Sequence, residues 1–195
     1  MSSNYQSKLP YVTLDTAPSG AKESLEAAKK RIGMIPNMYA AMANAPGALD
    51  TYVFGYDRFR QGSGFTPVEQ EVTFLAISAE NGCEYCVAAH SVIADTASKV
   101  PREVTDAIRS GTPVPDPRLA ALANLARAIV ATRGRPTTRD VEAFLAAGYS
   151  ERQVLELVLA VSVKTISNYV NHIFGTPVDA PFRSREWKAP ARSAG

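Results

Sequence analysis

No apolar run in the sequence approaches the roughly 18 residues that a membrane-spanning helix requires. The first residues, MSSNYQSKLPYVTLD, also lack the basic-then-apolar order of a secretory leader, so the expected location is the cytoplasm. Charge of one sign is missing too: 21 basic and 19 acidic residues leave a net charge of +2. Without a Lys/Arg run interleaved with aromatics, a nucleic-acid partner has no support. There is no glycine fingerprint for a nucleotide. Cysteine and histidine are scarce, with two of each in 195 residues. In a reducing compartment such a lone cysteine pair points to catalysis or metal binding rather than to a structural staple.

What is present is helix, and strand-like alternation is rare. The chain is long enough to bury a core and is expected to be one all-α domain over residues 1–195, with an arm at 1–17 and a tail at 180–195. Boundary signals are sharp in places. Thr66-Pro67-Val68-Glu69 supplies an N-cap, a proline at the first helical position and a capping-box glutamate. Ser150 with Gln153 makes a second box, and Thr137 with Asp140 marks another start. VEQEVTFLAISAE meets Asn81-Gly82, residues suited to ending a helix, and CEYCVAAHSVIADTAS follows at once. The pair reads as a helical hairpin with a CxxC at its hinge.

That hinge holds both cysteines and one histidine. Cys86 and His90 are four residues apart and share a helix face, and Cys83 precedes Cys86 by three on the same stripe. Cys83 is expected in the first turn, where free N–H groups favour a thiolate; CxxC thiols reach pKa values of about 7 or lower. In the preceding helix the stripe Val68, Glu71, Val72, Leu75, Ala79 places Glu71 at a position patterned for burial, where a carboxylate needs a partner. Glu71 lies about 15 Å before the turn and His90 about 10 Å after Cys83, so the folded hairpin brings them to a similar level. A Glu–His pair beside two thiols is a proton relay in outline: the carboxylate orients the imidazole, which takes a proton from Cys86. The same four residue types are also zinc ligands, so a Cys/His metal site stays open, as does acid–base chemistry without redox.

The spaced set Glu71, Cys83-x-x-Cys86, His90, set in TPVEQEVTFLAISAENGCEYCVAAHS, resembles the alkylhydroperoxidase D (AhpD) branch of the carboxymuconolactone decarboxylase superfamily. IPNMYAAMANAPGAL and SNYVNHIFGTPVD are similar to it as well, and the likeness spans roughly residues 30 to 180. The resemblance implies an AhpD-like helical bundle built around the CxxC hairpin. It implies that Cys86 attacks a hydroperoxide, that Cys83 resolves the sulfenic acid as a disulfide, and that Glu71 and His90 relay the proton. It further implies no cofactor or metal, re-reduction by a dithiol such as a lipoyl or thioredoxin-like protein, and a homo-oligomer, trimer or hexamer. Relatives with a second histidine between the cysteines use it in the relay; here Tyr85 stands there. A phenol with pKa about 10 can hold a hydrogen bond but not shuttle protons as imidazole does, so Tyr85 is at most a substitute member.

Overall fold

The structure is a computed structural model describing residues 4–190; the outer ends of the expected arm and tail, 1–3 and 191–195, lie outside the described residues. All regular structure among them is helical. In chain order the helices are α1 (Ser19–Ile32), α2 (Asn37–Met42), α3 (Pro46–Gly62), α4 (Pro67–Glu80), α5 (Glu84–Ile93), α6 (Arg102–Ser110), α7 (Pro117–Ala131), α8 (Thr138–Ala146) and α9 (Glu151–Phe174). A π-turn over Ala94–Ser98 follows α5, and a 3-10 turn over Ala180–Arg185 follows α9.

The capping signals act where the side chains stand. Thr66 Oγ1 accepts from Glu69 N and Glu69 Oε2 from Thr66 N, closing the box that starts α4. Thr137/Asp140 and Ser150/Gln153 start α8 and α9 in the same way. Each box satisfies end donors that would otherwise be orphaned, and so sets where the helix begins.

Helix α4 is the axle of the molecule. Every residue from Glu69 to Ser78 is buried, and α4 packs against α5, α6, α7 and α9. The apolar faces of α4 are therefore covered within the chain. One core gathers Phe74, Leu122, Leu125, Phe144 and Ile108 around α4, α6, α7 and α8. A second gathers Leu25, Met42, Leu49 and Tyr52 with Cys83 and Cys86, so the cysteines sit in apolar packing between α5 and the N-terminal helices. Large apolar side chains stay exposed on α3 and α9, Phe54 at 63% and Leu155 at 71%.

The two ends are more engaged than free arms would be. Ser7 N donates to Ile173 O (2.7 Å) and Val12 N to Ala40 O (3.0 Å), which straps the N-terminal segment onto α9 and α2. In the tail, Arg185 pairs with Asp95 at 3.1 Å and with Asp106. Trp187 Nε1 donates to Arg109 O (2.8 Å) and its ring packs on the chain's own core.

Candidate functional site

The hinge between α4 and α5 is where the sequence places its chemistry. Gly82 takes φ +70°, a left-handed conformation that a side chain would strain, and Cys83 N donates to Ser78 O (2.9 Å) to close the turn. Helix α5 then begins at Glu84, one residue later than the spacing predicts. Cys83 is its N-cap and makes no side-chain cap bond, while Cys86 occupies the first turn. Both thiols are reduced and buried.

Helix α4 presents Glu71 to the site, wholly buried. Its Oε2 accepts from His90 Nδ1 at 2.8 Å, and its Oε1 accepts from Arg60 of α3. Burial works against the carboxylate, but His90 and Arg60 overcome it and hold Glu71 below the ordinary carboxylate range. An ionised carboxylate only accepts, so His90 carries its proton on Nδ1. The expected Glu71–His90 meeting is thus present in the fold.

What lies beyond His90 differs from the simple relay. Its Nε2 accepts from the Nζ of Lys164 on α9, at 2.9 Å, and does not bond Cys86. Burial, then the Lys164 charge, pushes the imidazole below its usual 6.5 and keeps it neutral. The sulfurs have other partners. Asn171 Nδ2 donates to Cys86 Sγ at 3.3 Å and, more weakly, to Cys83 Sγ at 3.7 Å, and the Cys86 thiol reaches Ser167 Oγ at 3.9 Å.

The two thiols are pushed apart. Burial raises both; at Cys86 the neighbouring Cys83 thiol, the Lys164 charge and Ser167 reverse it and hold that thiol well below its ordinary value. At Cys83 burial prevails and the thiol is raised. The first-turn advantage expected for Cys83 therefore falls to Cys86.

Tyr85 turns away from this network. Its hydroxyl donates to Asp179, which also accepts from Asn37 N (3.2 Å), so the phenol ties α5 to the start of α2 and the segment after α9. Burial and then the Asp179 carboxylate push the phenol far above its usual range, which keeps it a donor. His172 is exposed, stacked near Tyr169. Among the described residues no three His, Cys, Asp or Glu side chains form a cluster that could hold a metal ion.

Lys164, Ser167, Asn168 and Asn171 belong to no His, Cys or acidic motif. They fall at i, i+3, i+4 and i+7 on α9, a buried stripe filled with polar residues. Like Glu71, they are polar residues where the helical pattern calls for burial, and that is the signal in the sequence that marks them. Arg60 and Asp179 carry no such local signal.

Two spaces adjoin the site. An open groove of about 890 Å3 is lined by Cys83, Glu84, Asn81 and Asn171. A cavity of about 410 Å3 has His90 in its wall together with Tyr39, Tyr52, Tyr56, Met38 and Phe182. The groove meets Cys83, and the aromatic cavity meets the His90 imidazole.

Residues 40–128 match the carboxymuconolactone decarboxylase family. No curated protein matches the chain. Among solved structures, an AhpD-core, uncharacterised peroxidase-related protein from Ralstonia eutropha JMP134 superposes with a TM-score of 0.79 at 23% identity, covering 92% of this chain and 96% of that one. A peroxidase-related protein from Silicibacter sp. TM1040 gives 0.76 at 19% identity, covering 93% and 95%. The debrominase Bmp8, a cysteine-to-alanine variant in complex with 2,3,4-tribromopyrrole, gives 0.76 at 15% identity, covering 92% and 96%. These likenesses show the all-α, AhpD-like fold.

Proposed function

On the premise of a chain that carries a carboxymuconolactone decarboxylase family domain on an AhpD-like fold, we propose a thiol-dependent hydroperoxide reductase that cycles through a Cys83–Cys86 disulfide. The observation that carries this is the unequal setting of two adjacent reduced thiols over one shared amide donor: Asn171 Nδ2 stands 3.3 Å from Cys86 Sγ and 3.7 Å from Cys83 Sγ, and Cys86 alone reaches Ser167 Oγ. Nucleophile and resolver need that asymmetry, since only the thiolate attacks and the second thiol must wait.

In the proposed cycle the Cys86 thiolate attacks the terminal oxygen of a hydroperoxide. The O–O bond breaks, the departing alkoxide takes up the equivalent of the proton that the Cys86 thiol gave up and leaves as the alcohol, and Cys86 becomes a sulfenic acid. The Cys83 thiol then attacks that sulfur; an S–S bond forms and water leaves. A dithiol donor, a lipoyl or thioredoxin-like protein, reduces the bond through a mixed disulfide, and the groove at Cys83 gives it an approach. Glu71 and Arg60 fix the His90 ring and its tautomer throughout. Self-association belongs to the same proposal, supported by the exposed Phe54, Leu155 and Val158; light scattering returning a monomer at micromolar concentration removes it.

One equivalent of hydroperoxide, followed by intact mass, tests the chemistry. The wild type is expected to lose two hydrogens, about 2 Da, and Cys83→Ser to stop at a trappable sulfenic acid. An unchanged wild-type mass sinks the proposal. The aromatic cavity beside His90 supports a second reading, thiol-dependent removal of halogen from an aromatic ring, for which halide release from a brominated pyrrole is the assay.

A further inference from the structure

Lys164 is a buried cation that the relay expected from sequence does not use. It is wholly buried in α9, and among the described residues its Nζ has one hydrogen-bond partner, His90 Nε2 at 2.9 Å, with the Phe74 ring 5.5 Å from it. Among the described residues it pairs with no carboxylate. A buried ammonium in that position is costly unless a negative charge balances it.

The charges around it identify the missing anion. Facing this enclosure are Glu71 from α4, Arg60 from α3, and Cys83, Cys86 and His90 from the hinge and α5. Glu71 is ionised and Arg60 is its ion-pair partner, so those two cancel. His90 is neutral, with Nδ1–H given to Glu71 and Nε2 taken by Lys164, so it offers neither a charge nor a free lone pair for a thiol proton. Asp179 is engaged by the Tyr85 hydroxyl and Asn37 N. One positive charge remains, on Lys164. The group left to balance it is Cys86, whose sulfur receives the Asn171 N–H at 3.3 Å.

We propose that Lys164 is the counter-ion of the Cys86 thiolate, a positioning residue that Glu71 and His90 hold in place, so that the resting site is an ammonium–thiolate pair. His90 is then a spacer that fixes the ammonium, not the base that strips the thiol. This rests on the thiol peroxidase reading for its use in catalysis, but the ion pair itself is read without any peroxide.

The test is a pH titration of thiolate absorbance at 240 nm on the reduced protein, alongside iodoacetamide alkylation rates, for wild type, Lys164→Met and Lys164→Arg. The methionine variant is expected to titrate at least one pH unit higher, a roughly tenfold loss of thiolate at pH values below both midpoints. The arginine variant keeps the charge and is expected near wild type. A methionine variant that titrates like wild type overturns the proposal, and so does an arginine variant shifted as far as methionine, because packing rather than charge is then responsible. Should Lys164→Met not fold, the comparison of Cys86→Ser with Cys83→Ser decides. Removing the balancing anion makes Cys86→Ser melt clearly below Cys83→Ser, whereas equal melting contradicts the pair. Peroxide turnover is read separately. A Lys164-dependent thiolate without turnover ends the peroxidase reading alone, and turnover with an unshifted Lys164→Met thiolate ends this inference alone.

Discussion

Glu69 and Glu71 stand two residues apart on one helix, both buried, and their substitution by glutamine is expected to give sharply different results. Glu69 serves the capping box, which glutamine also serves, and its ion-pair partner Arg118 is half exposed at 3.1 Å. A pair screened in that way is worth about 0–1 kcal/mol. Glu71 instead is wholly buried, bonded to His90 and paired with the largely buried Arg60 guanidinium, whose charge it alone balances. Glu71→Gln leaves that charge unpaired, for which the cost is about 3–5 kcal/mol. For a chain of this size each kcal/mol moves the melting temperature by roughly 2–4 °C, so Glu71→Gln should melt roughly 6–20 °C below wild type. Glu69→Gln should stay within about 4 °C on the same scale. Differential scanning calorimetry at pH 7.5 on both variants makes the comparison. The pH dependence has a definite sign: Glu71 is held below 4.5, so its contribution is present above that pH and lost as pH falls through the folded value. The gap between wild type and Glu71→Gln should therefore narrow only in strong acid. Two variants melting together at pH 7.5 would refute the charge reasoning for the whole site.

Two further outcomes follow from the same structure. The Cβ of an alanine at Gly55 would stand 2.8 Å from Val163 Cγ2, where α3 crosses α9, so Gly55→Ala should cost about 1–3 kcal/mol by overpacking. Gly47→Ala on the same helix meets nothing within 4 Å and should be neutral or slightly stabilising; equal urea midpoints for the two would contradict the close crossing. His90, pushed below 6.5 in the fold, takes up its proton later than the unfolded chain does, so stability falls as pH drops below 6.5. Melting temperatures from pH 7.5 to 5 should decline in wild type more than in His90→Asn, and a flat wild-type profile would exclude a buried neutral imidazole.

The helices with strong local caps were legible in the sequence, since a capping box is a contact between residues three apart and needs no tertiary partner. The hairpin around Gly82 was legible for the same reason, and Glu71 because a carboxylate interrupts an apolar stripe. The start of α5 was harder. Cys83 sits outside the helix because its N–H goes to Ser78 O, a bond of the turn rather than of the helix. That single shift moves the first-turn advantage from Cys83 to Cys86. Lys164 and Asn171 reach the site from a helix some eighty residues on, and the Tyr85–Asp179 bond spans 94 positions. The stripe of polar residues on α9 announces burial, but not what it is buried against. Arg60 reads as an ordinary helix cation until α3 is laid beside α4.

Cys86→Ser, assayed for hydroperoxide consumption in the presence of a dithiol donor, bears most directly on the central claim. The account predicts that turnover is lost with the hydroxyl in place of the sulfur, while Cys83→Ser still reduces its first equivalent of peroxide. A Cys86→Ser protein that consumes hydroperoxide at the wild-type rate would contradict it.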